Sequence, residues 1–80
     1  HGGIIAALLD EAMVKLAAHL GMRAVSAELT VKFTSPAAAG SDLLVRGWII
    51  REANRLIEVE ATVERGPVIV AEAKGKLLII

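Results

Sequence analysis

Asp10 is set apart by its surroundings. On a helical projection it lies about 100° from Glu11 and falls beside Gly3, Ala6, Val14 and Ala17. A carboxylate on an apolar helix face is costly unless it is neutralised or put to use. The residues alone leave two other readings open: an acid favoured by the positive end of the helix dipole, or a side chain at a solvated edge. Glu11 differs, because Lys15 follows at i+4 in the favourable order, which predicts a solvated ion pair. His1-Gly2-Gly3 stands immediately before the helical pattern. Backbone N–H groups at a helix start are unpaired and carry positive partial charge, so a glycine there can bring one against a substrate oxygen as an oxyanion hole does. A plain glycine turn is the alternative. Ser26 is the other hydroxyl of interest, placed by simple alternation on the face away from Val25, Ala27 and Leu29, either as a structural strand serine or with a role in the chemistry. No Ser-His-acid arrangement follows, since nothing orients His1.

These residues sit on elements legible from periodicity. Gly3 to Leu20 is rich in strong helix formers and closes at Gly21, a natural C-terminal stop. Glu11, Lys15 and His19 make one narrow polar stripe, and the rest is nearly all apolar, which predicts a buried helix. After Gly21 the period becomes two. Val25, Ala27, Leu29, Val31 and Phe33 alternate with polar residues as a first strand, and Ser35 to Asp42 reads as a loop. Leu43 to Glu52 is a second strand, ended by Ala53-Asn54-Arg55. Ile57 to Glu64 is a third, and Arg65-Gly66-Pro67 turns the chain into a fourth, Val68 to about Leu78, with Ile69, Ala71, Ala73 and Leu77 on one face. Short connections imply an antiparallel meander, and one helix followed by four strands is an α+β class. The βαβ alternation of a nucleotide-binding fold is missing, and Gly2-Gly3 is too short for a phosphate loop.

The composition narrows the classes further. Eighty residues are one small domain, 55% hydrophobic and 22% charged, with 9 basic and 9 acidic residues. The balance argues against nucleic acid as a partner and against disorder. With no cysteine, disulfide scaffolds, zinc ribbons and thiol nucleophiles drop out, no metal is expected, and a reducing cytoplasm fits best. No apolar run reaches the roughly 18 to 20 residues that a membrane helix needs, so no membrane partner is expected. Positive mean hydropathy with only Phe33 and Trp48 as aromatics predicts apolar surface left for a partner chain. The missing initiator methionine and the ending in mid-pattern predict a single domain over 1–80, trimmed at both ends.

His1-Gly2-Gly3-Ile4-Ile5-Ala6-Ala7-Leu8-Leu9-Asp10-Glu11-Ala12-Met13 resembles the signature of hotdog-fold thioesterases of the phenylacetate-degradation type, in the 4-hydroxybenzoyl-CoA thioesterase superfamily: a His-Gly-Gly with an acidic residue nine positions after the His. The resemblance continues through Ala24 to Phe33, Ser35-Pro36, Gly40 and the strand from Leu43. It implies a hotdog fold, one long helix wrapped by an antiparallel sheet, with one or two strands preceding His1 missing from this chain. It implies hydrolysis of an acyl-CoA or aryl-CoA thioester without a cofactor. Asp10 would be general base or nucleophile, Gly2 the oxyanion donor, His1 an aid in positioning the thioester, and Ser26 an assistant to the attacking water. Gly3 would join the substrate-binding residues. Arg23 and Arg55 are candidate cations for the CoA phosphates. The resemblance also implies a homodimer, or a tetramer built from dimers, with the Val25 to Thr34 strand at a free sheet edge and Asp10 facing the His1-Gly2 region of a second chain. The alternatives are a hotdog domain that binds acyl thioesters without hydrolysis and a dimerisation module. A buried carboxylate at position 10 would serve neither.

Overall fold

The structure, a computed structural model, describes residues 2–35 and 42–80. His1 and the Pro36 to Ser41 part of the expected loop lie outside the described residues. Helix α1 runs Gly2–His19. Its terminus follows from Gly21, whose φ of 83° suits a residue without Cβ. Gly21 N–H donates to Ala18 O at 3.0 Å and Met22 N–H to Ala17 O at 3.0 Å, the paired bonds of a Schellman motif. The buried stripe is Ile5, Leu9, Met13 and Ala17, one residue per turn. Burial is one-sided: Ile4, Leu8 and Leu20 are exposed, because the sheet meets the helix on one face only.

Strands β1 (Ala24–Phe33), β2 (Leu44–Ala53), β3 (Leu56–Arg65) and β4 (Val68–Ile79) form one antiparallel sheet in the order β1-β4-β3-β2. Strands β2, β3 and β4 are the expected meander, joined by turns at Asn54-Arg55 and Gly66-Pro67 in which Asn54 and Gly66 take positive φ. Strand β1 crosses over to pair with β4 and stands at an edge. The core lies between α1 and the inner face, filled by Ile57, Val59, Ala61 and Val63 of β3 and by Val70, Ala71, Ala73 and Leu77 of β4.

Two expected faces are corrected by bulges. On β4 the register to β3 shifts between Val63 and Glu64, whose partners are Ala71 and Ile69, so Val70 is the extra residue. Val70 is therefore fully buried, and Ile69, expected inside, is 41% exposed. On β1 the register to β4 shifts between Ser26 and Glu28, making Ala27 the extra residue. Alternation breaks there. Leu29 and Val31 face the core, Val25 is exposed, and Ser26 comes opposite Leu77, a buried inner-face residue. Ser26 therefore points to the helix side and not to the outer face that strict alternation gives it.

Candidate active site

The bulge at Ala27 has a direct chemical result. It turns Ser26 toward α1, and the Ser26 hydroxyl donates a hydrogen bond to a carboxylate oxygen of Asp10. Two residues sixteen apart in sequence thus become one carboxylate–hydroxyl pair. Asp10 is half-buried and Ser26 exposed, so the pair opens to solvent on one side while α1 and the sheet fix it from the other. A carboxylate that accepts one oriented hydroxyl keeps lone pairs free for a water molecule or an acyl carbon. The next residue behaves differently. Glu11 pairs with Lys15 at 2.7 Å in solvent, and that hydrogen bond and charge hold the Glu11 carboxyl below the ordinary carboxylate range.

The remaining candidate residues divide into two groups. Gly2 and Gly3 form the first turn of α1, where N–H groups have no intrahelical acceptor. Eight residues at 1.5 Å rise put Gly2 about 12 Å along the axis from Asp10, beyond the reach of one scissile carbonyl. Arg23 and Arg55, 32 positions apart, are brought to one end of the sheet. Ile79 N–H donates to Arg55 O and Ile80 N–H to Arg23 O, each at 2.8 Å, so both arginines flank the end of β4. Both side chains are exposed, and Arg23 lies three residues before Ser26 on the same segment.

A cleft of about 390 Å³ opens on the outer sheet face, lined by Thr30, Lys32, Trp48, Glu60, Thr62 and Lys74 among others. It is on the opposite side of the sheet from Asp10 and Ser26. Its rim is cross-strand polar pairing, including Trp48 Nε1–H donating to Glu60 at 3.2 Å, the ordinary chemistry of a solvated face. The carboxylate–hydroxyl pair, and not the cleft, is the candidate site. Among the described residues, no group of three or more acidic or histidine side chains could hold a metal ion, and no helix is long and apolar enough to cross a membrane. Sequence reasoning singled out Ser26 but put it on the wrong face, and no residue type between Val25 and Glu28 announces the bulge. It missed Gly75, on which α1 rests closely.

Residues 1–72 match the thioesterase superfamily. No functionally curated protein matches the sequence. Among solved structures the chain is similar to the BH2602 protein of Bacillus halodurans with CoA, at 31% identity and TM-score 0.90, covering 100% of this chain and 55% of that one. It is similar to the PaaI protein from the phenylacetic acid degradation operon of E. coli, at 25% identity and TM-score 0.93, covering 100% and 59%. In fold it is also similar to smu.793 of Streptococcus mutans bound to acetyl CoA, at 23% identity and TM-score 0.95, covering 100% and 65%. The chain spans between about half and two thirds of the length of these proteins. One helix on a four-stranded antiparallel sheet is thus the hotdog arrangement, as the family resemblance implies.

Proposed function

The chain belongs to the thioesterase superfamily, and from that premise we propose that it hydrolyses an acyl-CoA or aryl-CoA thioester to the free acid and CoA, with Asp10 as the reacting carboxylate. The observation that carries this reading is the hydrogen bond from Ser26 to Asp10. As general base, Asp10 takes a proton from water while the water oxygen bonds to the thioester carbon. The carbonyl π pair moves onto oxygen, then returns as the C–S bond breaks, and the thiolate of CoA leaves and is protonated. As nucleophile, the Asp10 carboxylate bonds to the thioester carbon and displaces the CoA thiolate, giving an anhydride that water opens to the free acid and the Asp10 carboxylate. Single turnover in ¹⁸O-water separates the two routes, because only the nucleophilic route can leave label in Asp10. A helix-start N–H at Gly2 stabilises the oxyanion by about 3 kcal/mol when aligned. The His1 to Asp10 spacing and the PaaI likeness favour the phenylacetate-degradation type within the superfamily.

This chemistry needs two chains. With Gly2 and Asp10 about 12 Å apart on one helix, the oxyanion donor and the carboxylate that serve one thioester must come from different copies. Strand β1 supports such an assembly: it is an edge strand, and a two-fold copy can pair with it to extend both sheets. Exposed Ile4, Leu8 and Val25 are apolar surface for it to cover. Arg23 and Arg55 are the proposed cations for the CoA phosphates.

The test is hydrolysis of a panel of acyl-CoA and aryl-CoA esters, followed by release of the CoA thiol, for the native protein, Asp10→Asn and Glu11→Gln. Asp10→Asn should abolish turnover with melting unchanged, and Glu11→Gln should leave turnover intact. Near-full turnover in Asp10→Asn overturns the assignment. Binding of the esters with no turnover by the native protein would favour a binding domain instead.

A further inference from the structure

We propose that Gly75 is a positioning residue for the Asp10–Ser26 pair: the missing side chain lets α1 settle close enough on the sheet for the hydrogen bond to form. The functional side of this inference rests on the hydrolytic reading above; the geometric side does not. Gly75 lies in the middle of β4 on the inner face, paired with Leu29 of β1 and Val59 of β3. A Cβ added there would stand 2.5 Å from Sδ and 3.5 Å from Cε of Met13, and 3.7 Å from the carbonyl oxygen of Glu28. Real Cβ atoms do not approach sulfur so closely, so something must move.

Sδ and Cε are the far end of a flexible side chain, so Met13 is the first group to give. It is 1% exposed and packs in the core with Leu9, Val59 and Leu77. Any shift of that thioether repacks the layer beneath α1, and close-packed interiors pass such strain on to the helix. Asp10 is one turn before Met13 on the same helix, and Ser26 pairs with Leu77, two residues after Gly75 on the same strand. Two contacts one helical turn apart thus share a single helix-to-sheet spacing: Met13 over Gly75, and Asp10 against Ser26. Lifting the first opens the second.

The fold supplies its own control. Gly47 of β2 also lies beneath α1, but a Cβ there would meet Leu16 Cδ2 at 3.8 Å, an ordinary contact. Both substitutions add one methyl group to the inner face of a strand. Only that at Gly75 should disturb the pair.

The experiment compares the native chain, Gly75→Ala, Gly47→Ala, Met13→Ala, the Met13→Ala/Gly75→Ala double variant and Ser26→Ala with and without Gly75→Ala. Crystal structures give the first readout, which does not depend on activity. The Asp10–Ser26 hydrogen bond should be lost in Gly75→Ala, kept in Gly47→Ala and restored in the double variant. In steady-state hydrolysis, Gly75→Ala should lower kcat by about 10- to 100-fold, the range for displacing a reacting group by up to ~1 Å. KM should change less than about twofold, since Arg23 and Arg55, the proposed cations for CoA, flank the end of β4. Met13→Ala should rescue most of that loss, and Gly75→Ala should add nothing in the Ser26→Ala background, an epistasis that general destabilisation does not produce. Retention of the hydrogen bond in Gly75→Ala, or an equal kcat loss with and without Ser26, overturns the proposal. If Gly75→Ala does not fold, recovery of a folded chain with the bond intact by Met13→Ala upholds it, and failure of the double variant to recover overturns it. A native protein that hydrolyses none of the esters instead defeats the hydrolytic reading, and the crystal structures still decide the positioning role.

Discussion

Ser26→Ala separates what the hydroxyl does for stability from what it does for chemistry. A hydrogen bond to a charged group contributes about 1.5–3 kcal/mol where water is excluded. Here Ser26 is exposed and Asp10 half-buried, so in the variant a water molecule can take the place of the hydroxyl. The folding cost should therefore stay below about 1 kcal/mol, which for a domain of this size moves Tm by no more than about 4–8 °C. Turnover depends on orientation, for which a disordered water is a poor substitute. Loss of that orientation should lower kcat by 10- to 100-fold, about 1.4–2.7 kcal/mol in the barrier. The assay pairs CoA-thiol release at saturating substrate with thermal melting of the same preparation. Ser26→Thr, which keeps a hydroxyl, should recover part of the rate, and Asp10→Asn/Ser26→Ala should be no slower than Asp10→Asn, since the two residues act as a unit. Native kcat in Ser26→Ala refutes the reasoning and makes the hydroxyl structural. A large drop in Tm would refute it differently, by showing that the pair is more buried than its exposure indicates.

Charge reversal at Arg23 or Arg55 should raise KM for CoA esters several-fold with kcat nearly unchanged, read from saturation curves; an unchanged KM in both removes them from the CoA site. Val70→Ala should cost roughly 2 kcal/mol, two methyl groups at about 0.8 each plus the cavity they leave. Ile69→Ala should cost under about 1 kcal/mol, because Ile69 is 41% exposed. Urea melts that reverse this order would show that the β4 bulge is misplaced. Sedimentation of the active protein at micromolar concentration should give a dimer or a tetramer. An active monomer would sink the two-chain site, as would a crystal structure with the free edge of β1 in solvent.

Periodicity along the chain settles the elements. Period 3.6 over Gly3 to Leu20, period two after Gly21, and the Asn54 and Gly66 turns locate one helix and four strands within a residue or two of their ends. These are local properties, carried by side chains that alternate or recur along the chain. Asp10 was legible for the same reason: a carboxylate among Ala6, Val14 and Ala17 conflicts with its neighbours whatever the rest of the chain does. The face of Ser26 was not legible. A bulge is a property of two strands, set by how Ser26 and Glu28 pair with Leu77 and Lys76, and one extra residue on one side reverses every face beyond it. Val70 and Ile69 exchange places for the same reason. The role of Gly75 needed the helix in place, since a missing Cβ has meaning only once Met13 stands above it. Alternation is written along one chain, whereas register and close approach are set between segments far apart in sequence, and only tertiary packing fixes the distance between them.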